Sequence, residues 1–190
     1  MEKVIKIKNQ NDLDRFYKRI KYYRSPLYRF TTFKSDNKEI GKIIEALNIK
    51  NRCKRIQFVF EAACDYIDDY NKTQSNNICG FSNNKCRNNV LNGCCRKCYY
   101  RGKNGCTTQN LSCKLFFCSK VCDKYKTLTF DDVKLLKCFS YRNQVIVKHN
   151  YFTKKEDYLV DLYIGCVNIA ILRYLYRTIK HKIFKKKDLI

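Results

Sequence analysis

Nine cysteines crowd into residues 79–122, and they constrain what this chain can become more than any other feature. They are Cys79, Cys86, Cys94, Cys95, Cys98, Cys106, Cys113, Cys118 and Cys122, in the pattern C-x6-C-x7-C-C-x2-C-x7-C-x6-C-x4-C-x3-C. The segment has few apolar side chains of its own, so converging ligands are expected to organise it. Cys95-Arg96-Lys97-Cys98 sets two thiols two residues apart, a spacing that lets both reach one tetrahedral ion from a tight turn. Gly80, Gly93, Gly102 and Gly105 also fall here, four of the six glycines in the chain. A backbone without Cβ turns sharply enough beside them for several sulfurs to converge.

Metal ligation, disulfide or redox-active thiols, and thiols that merely fill space all fit such a segment. Density favours metal. The start, Met1-Glu2-Lys3-Val4-Ile5-Lys6, does not read as a secretory signal, which points to the cytoplasm and reduced thiols. The total of 13 cysteines is odd, so complete internal pairing is impossible. No histidine lies in the segment; the two in the chain are His149 and His181. A thiolate-only site suits structural zinc or an iron–sulfur cluster and disfavours a hydrolytic zinc with an open position. The C-x3-C-x2-C run of radical enzymes is absent. Cys53, Cys64, Cys138 and Cys166 sit on helical patterns and read as small core residues.

On both sides of the segment the apolar residues recur at helical spacing. Val4, Ile5 and Ile7 suggest a short edge strand. Asn11 is placed to cap a helix with Leu13, Phe16, Tyr17 and Ile20 on one face. Ser35 precedes a second helix carrying Ile40, Ile43, Ile44 and Leu47. A third runs from about Lys54 to Tyr70 through Ile56, Val59, Phe60, Ala63 and Ile67. Beyond the cysteines, Thr129 is placed to cap a helix bearing Val133 and Leu136. Thr153 with Glu156 reads as a capping box for a final helix from Lys154 to about Lys186. The expected fold is all-α: a helical body in two halves, 1–75 and 127–190, packed on one another, with an irregular cysteine-rich metal module, 76–126, inserted between them. The longest apolar stretch, Tyr158–Tyr176, is interrupted by Asp161, Asn168 and Arg173, which argues for a core helix and against a membrane span.

The net charge is +23, from 40 basic and 17 acidic residues, so nucleic acid or another polyanion is the expected class of partner. The run Lys180-His181-Lys182, then Lys185-Lys186-Lys187, would serve such a role. Tyr22-Tyr23 beside Arg24 and Tyr99-Tyr100 beside Arg101 could add stacking, although paired tyrosines are ordinarily half-buried structural residues. A nucleic-acid-binding module is therefore one alternative. An iron–sulfur enzyme is another, but no acid–base pair, phosphate loop or substrate motif names a catalytic residue.

Gly93-Cys94-Cys95-x2-Cys98, then Gly105-Cys106, then Leu111-Ser112-Cys113-Lys114-Leu115-Phe116-Phe117-Cys118 resembles the cysteine-rich proteins described as zinc- or iron-chelating. Those carry paired cysteines, then G-x-C, then C-[RK]-x-[FY]. The chain departs from them in a shorter gap between the last two cysteine segments and in lacking their Arg-Pro pair. It also resembles, over its length, uncharacterised basic cysteine-rich proteins of anaerobic Gram-positive bacteria. The first resemblance implies that Cys94, Cys95, Cys98, Cys106, Cys113 and Cys118 are ligands. It implies no reaction.

Overall fold

The computed structural model describes residues 2–73, 81–82, 85–86, 101–102, 105–106, 108 and 110–187. Its first element is the expected strand, β1 (Lys3–Ile7), which pairs in parallel with β2 (Thr31–Ser35) so that Ile5 lies opposite Phe33. Helix α1 (Gln10–Tyr23) makes the crossover between them. The cap is Asn9 and not Asn11: its Oδ1 accepts the Asp12 N–H at 2.9 Å. Leu13, Phe16, Ile20 and Tyr23 recur every three or four residues and are buried. Phe16, Tyr23 and Phe33 form an aromatic cluster, the Tyr23 and Phe33 ring centroids 4.9 Å apart. The Tyr22-Tyr23 pair is thus divided. Tyr23 is core, whereas Tyr22 faces solvent.

Asn37, not Ser35, begins the next element. Its Oδ1 accepts the Glu39 N–H at 2.8 Å and starts a 3₁₀ turn that leads into α2 (Gly41–Asn48). Ser35 instead donates its hydroxyl to the Ile7 carbonyl and ties β2 to β1. The expected faces are the buried ones: Ile40, Ile43, Ile44 and Leu47 on this helix, Ile56, Val59, Phe60, Ala63 and Ile67 on α3 (Arg52–Thr73). Burying each large apolar side chain contributes about 1.5–3 kcal/mol.

The C-terminal half departs further from expectation. Thr129 caps no α-helix. Its N–H and hydroxyl both donate to Asp132 Oδ2, at 2.8 and 2.6 Å, and the turn so made opens into a 3₁₀ segment, Lys134–Cys138. Ser140 caps a helix the periodicity does not announce, α6 (Tyr141–His149). Thr153 turns its hydroxyl inward to Asn150 Oδ1 at 2.7 Å and leaves the helix that follows uncapped by a side chain. That helix is also not continuous to Lys186. It divides into α7 (Lys155–Ile164) and α8 (Val167–Lys187) at Gly165, whose φ of 63° lies in the left-handed region and ends α7.

The body is mostly helical, and its two halves share one hydrophobic core. Phe60 and Tyr158 face each other across it with centroids 5.7 Å apart. Arg24 Nη1 donates to the carbonyls of Lys137 and Phe139, and Arg52 Nη1 donates to that of Tyr163 at 2.6 Å. No helix among the described residues is long and apolar enough to cross a membrane.

Candidate metal centre

Two minimal hairpins carry the middle of the cysteine-rich segment. β3 (Phe81–Ser82) pairs antiparallel with β4 (Lys85–Cys86), and β5 (Arg101–Gly102) with β6 (Gly105–Cys106). Each ends on a cysteine: Cys86 lies opposite Phe81, and Cys106 opposite Arg101. β3 also lies against β6, so the hairpins sit side by side. In each hairpin two residues separate the paired strands in the sequence. In the sequence, each hairpin falls between two of the cysteines, Cys79 and Cys86 in one, Cys98 and Cys106 in the other. Cys79, Cys94, Cys95 and Cys98 lie outside the described residues, as do Tyr99 and Tyr100.

The last three cysteines sit on short helices. Cys113 belongs to the single turn α4 (Leu111–Lys114), Cys118 immediately precedes α5 (Ser119–Lys124), and Cys122 lies within α5. Cys113 and Cys118 are half-buried, and Cys122 is exposed. The Cys122 thiol faces the Phe117 carbonyl at 3.9 Å and the Thr127 hydroxyl at 3.8 Å. Among the described residues, no group of three or more Cys, His, Asp or Glu side chains is gathered closely enough to hold an ion.

This end of the segment is locked into the helical body. Leu111 is fully buried in the shared core. Asn110, also fully buried, accepts the Cys113 N–H at 2.8 Å and donates to the Thr153 carbonyl. From Thr153 a buried polar chain continues: its hydroxyl donates to Asn150, Asn150 Nδ2 donates to Asp161 Oδ2 at 2.9 Å, and Arg173 donates to Asp161 Oδ1. Ser112 Oγ hydrogen-bonds the Val147 carbonyl at 2.6 Å and the Tyr158 hydroxyl at 2.9 Å. Burial pushes the Tyr158 phenol well above its ordinary range, so it stays neutral. Every one of these groups is matched, which is the condition for a buried polar network to stabilise. The Lys114–Asp68 ion pair and a 3.1 Å hydrogen bond from Tyr70 to the Lys126 carbonyl hold the segment's exit beside the end of α3, where it departs. Only Asp161, an acid in the longest apolar stretch, hints at this network in the sequence. Thr153 reads there as a helix cap, and nothing marks Asn110 or Asn150.

The cysteines outside the segment behave differently from one another. Cys64 and Cys138 are buried, and burial pushes both thiols up to about 12, so both are protonated at neutral pH. Cys53 corrects the expectation of a core residue: it is exposed in the first turn of α3.

No protein-family model, curated protein or solved structure matches the chain.

Proposed function

We propose that the chain is a cysteine-rich metal-binding protein of the cytoplasm, its helical body serving as the mount for a zinc or iron–sulfur centre with a structural, electron-transfer or sensing role. The observation that carries this reading is the pair of adjacent hairpins. β6, which carries Cys106, lies against β3, whose partner β4 carries Cys86, and this adjacency of two cysteine-bearing hairpins supports a shared thiolate site. The buried anchor at Asn110 and Leu111 supports it, because a centre needs a rigid base from which its ligands project. The candidate ligands remain the nine cysteines from Cys79 to Cys122. Lys and Arg in the same segment would offset the thiolate charge and favour deprotonation.

The test is purification without oxygen, followed by elemental analysis and an absorption spectrum. About one or two zinc ions per chain, or a brown protein with broad visible absorption, are the expected results. Cys95→Ser should lower metal content, while Cys166→Ser should leave it unchanged. A metal-free protein with nine reactive thiols in residues 79–122 and unaltered folding would sink the reading.

A further inference from the structure

The basic surplus of the chain is not spread evenly. Arg24, Arg29, Lys50, Arg52 and Arg55 line one cavity of about 510 Å³, and no carboxylate is among the described residues lining it. The cavity opens where α3 and α6 begin, so the positive ends of a 22-residue and a 9-residue helix face it, opposed in part by the negative end of the 14-residue α1. Arg24 and Arg55 are half-buried in it, and Arg29, Lys50 and Arg52 stand at its mouth.

None of the five cations makes an ion pair with a described residue. Their hydrogen bonds go to backbone carbonyls: Arg24 to Lys137 and Phe139, Arg55 to Arg24 at 3.3 Å, Arg52 to Tyr163, and Lys50 to Tyr28 and Thr31. A guanidinium has five donors, so most of them are unspent. Burial first, and then repulsion between neighbours, lowers the pKa of Arg24, Arg55 and Lys50. Arg24 and Arg55, half-buried like charges with no carboxylate among the described residues lining the cavity, cost stability, whereas Glu2 offsets part of the charge on exposed Lys50.

A second, independent feature stands in the same cavity. Asn143, 1% exposed in the first turn of α6, contributes to the lining, and neither its Oδ1 nor its Nδ2 has a hydrogen-bond partner. A buried side-chain amide with both ends unmatched is uncommon, because each end was stripped of water on folding. Unspent guanidinium donors, two helix N-termini and an unmatched amide are together what an oxyanion with several acceptor oxygens would satisfy. A lone carboxylate has one charge and two oxygens and leaves most of this field unanswered. A phosphate carries about two charges and more acceptors, and guanidinium groups bind it in bidentate fashion. The volume is that of a small-molecule pocket.

We propose that this cavity binds the phosphate group of a small organic phosphate, with Arg24, Arg55 and Asn143 as the inner contacts and Arg29, Lys50 and Arg52 at the mouth. The site is separate from the cysteine-rich segment. It lies at the start of α3, and that segment leaves from the far end of this helix, about 33 Å away along its axis.

Calorimetric titration of the full chain at low ionic strength tests this, with inorganic pyrophosphate as the probe. One pyrophosphate per chain should bind saturably. Arg55→Gln and Asn143→Leu should each weaken it about tenfold or more, the loss of a charge-assisted hydrogen bond. Lys18→Gln, which removes the same charge from an exposed position of α1 outside the cavity, should stay within about twofold. If Arg55→Gln misfolds, Asn143→Leu decides alone, because that amide makes no hydrogen bond within the protein. No saturable binding, or equal weakening by Lys18→Gln and Arg55→Gln, overturns the proposal. So does full affinity in a folded Asn143→Leu variant. Two competitors identify the carrier. Displacement of pyrophosphate by a nucleoside triphosphate is expected; displacement only by a terminally phosphorylated oligonucleotide overturns the small-molecule assignment.

Discussion

Replacing Gly165 by alanine should be among the costliest single-methyl additions in this chain. Gly165 has φ +63°, a conformation that costs an L residue about 1–2 kcal/mol. A Cβ there would also lie 2.8 Å from Arg52 Nη2 and 3.2 Å from Asn143 Oδ1. Arg52 is a long side chain and can withdraw, but withdrawal strains its 2.6 Å hydrogen bond to the Tyr163 carbonyl, worth about 1 kcal/mol at an exposed position. The sum is about 2–3 kcal/mol, which lowers Tm by about 4–12 °C in a chain of this size. Gly41 supplies the contrast. Its φ is −51°, and nothing lies within 4 Å of a Cβ built on it. Gly41→Ala should therefore stabilise by about 0.4–1 kcal/mol through the unfolded chain. Urea denaturation followed by circular dichroism measures both, read as a midpoint change at constant slope. In an Arg52→Ala background the clash with Arg52 should vanish, leaving the backbone cost of about 1–2 kcal/mol and the tight contact with Asn143 for Gly165→Ala. A cost below about 0.5 kcal/mol in the native background would mean that 155–187 can run as one uninterrupted helix.

Alkylation of the native protein should modify Cys53 quickly and spare Cys64 and Cys138 until it unfolds; mass spectrometry of the labelled peptides shows which. The same two thiols tie stability to alkaline pH. Burial raises them from 9.0 to about 12, so the folded state keeps protons that the unfolded state releases. Their stabilising contribution is intact below about pH 9 and declines as the pH climbs toward 12, visible as a falling Tm in that window and not below it. Tyr158→Phe leaves Ser112 with its Val147 bond but removes its second partner, and should cost about 1 kcal/mol or more by denaturant titration. Chelation should raise amide hydrogen exchange across 79–107 more than across 154–180; a uniform rise would mean that the centre and the body unfold as one unit.

Helices α1, α2 and α3 are legible in the sequence because their stripes depend on residues three and four apart. Even there the caps shift by about two residues, since several Asn and Ser side chains compete for each start. β2 is not legible: its parallel partner lies 28 residues earlier, and only Phe33 is a large apolar residue in it. The break at Gly165 hides because apolar residues continue on both sides of one glycine. α6 hides because its buried Asn143, Ile146 and Val147 mix polar with apolar on the inner face. The cysteine segment announces itself by density, but spacing could not foretell that its last part would anchor in the core through Leu111 and Asn110. The basic cavity has no local signature at all, for its lining comes from residues as far apart as Tyr23 and Asn143.

The joining of α3 to α4 also sets a kinetic condition. The contacts that complete the core span long stretches of chain: Arg24 to Phe139 is 115 residues and Arg52 to Tyr163 is 111. The cysteine-rich segment lies inside each of those spans, and Asp68 with Lys114 closes its neck. Until the neck closes, the search for the later contacts runs over the full contour. Once it closes, the 46-residue detour drops out of the path. Shortening spans of 115 and 111 residues by 46 saves about 0.5 kcal/mol of closure entropy, about a twofold gain in rate if the saving is felt at the barrier. A bond that pre-folds the detour, whether to a metal or by deleting part of it, acts in the same direction. The cysteine-rich segment is therefore placed to govern how fast the body assembles, independently of how stable the body is once formed.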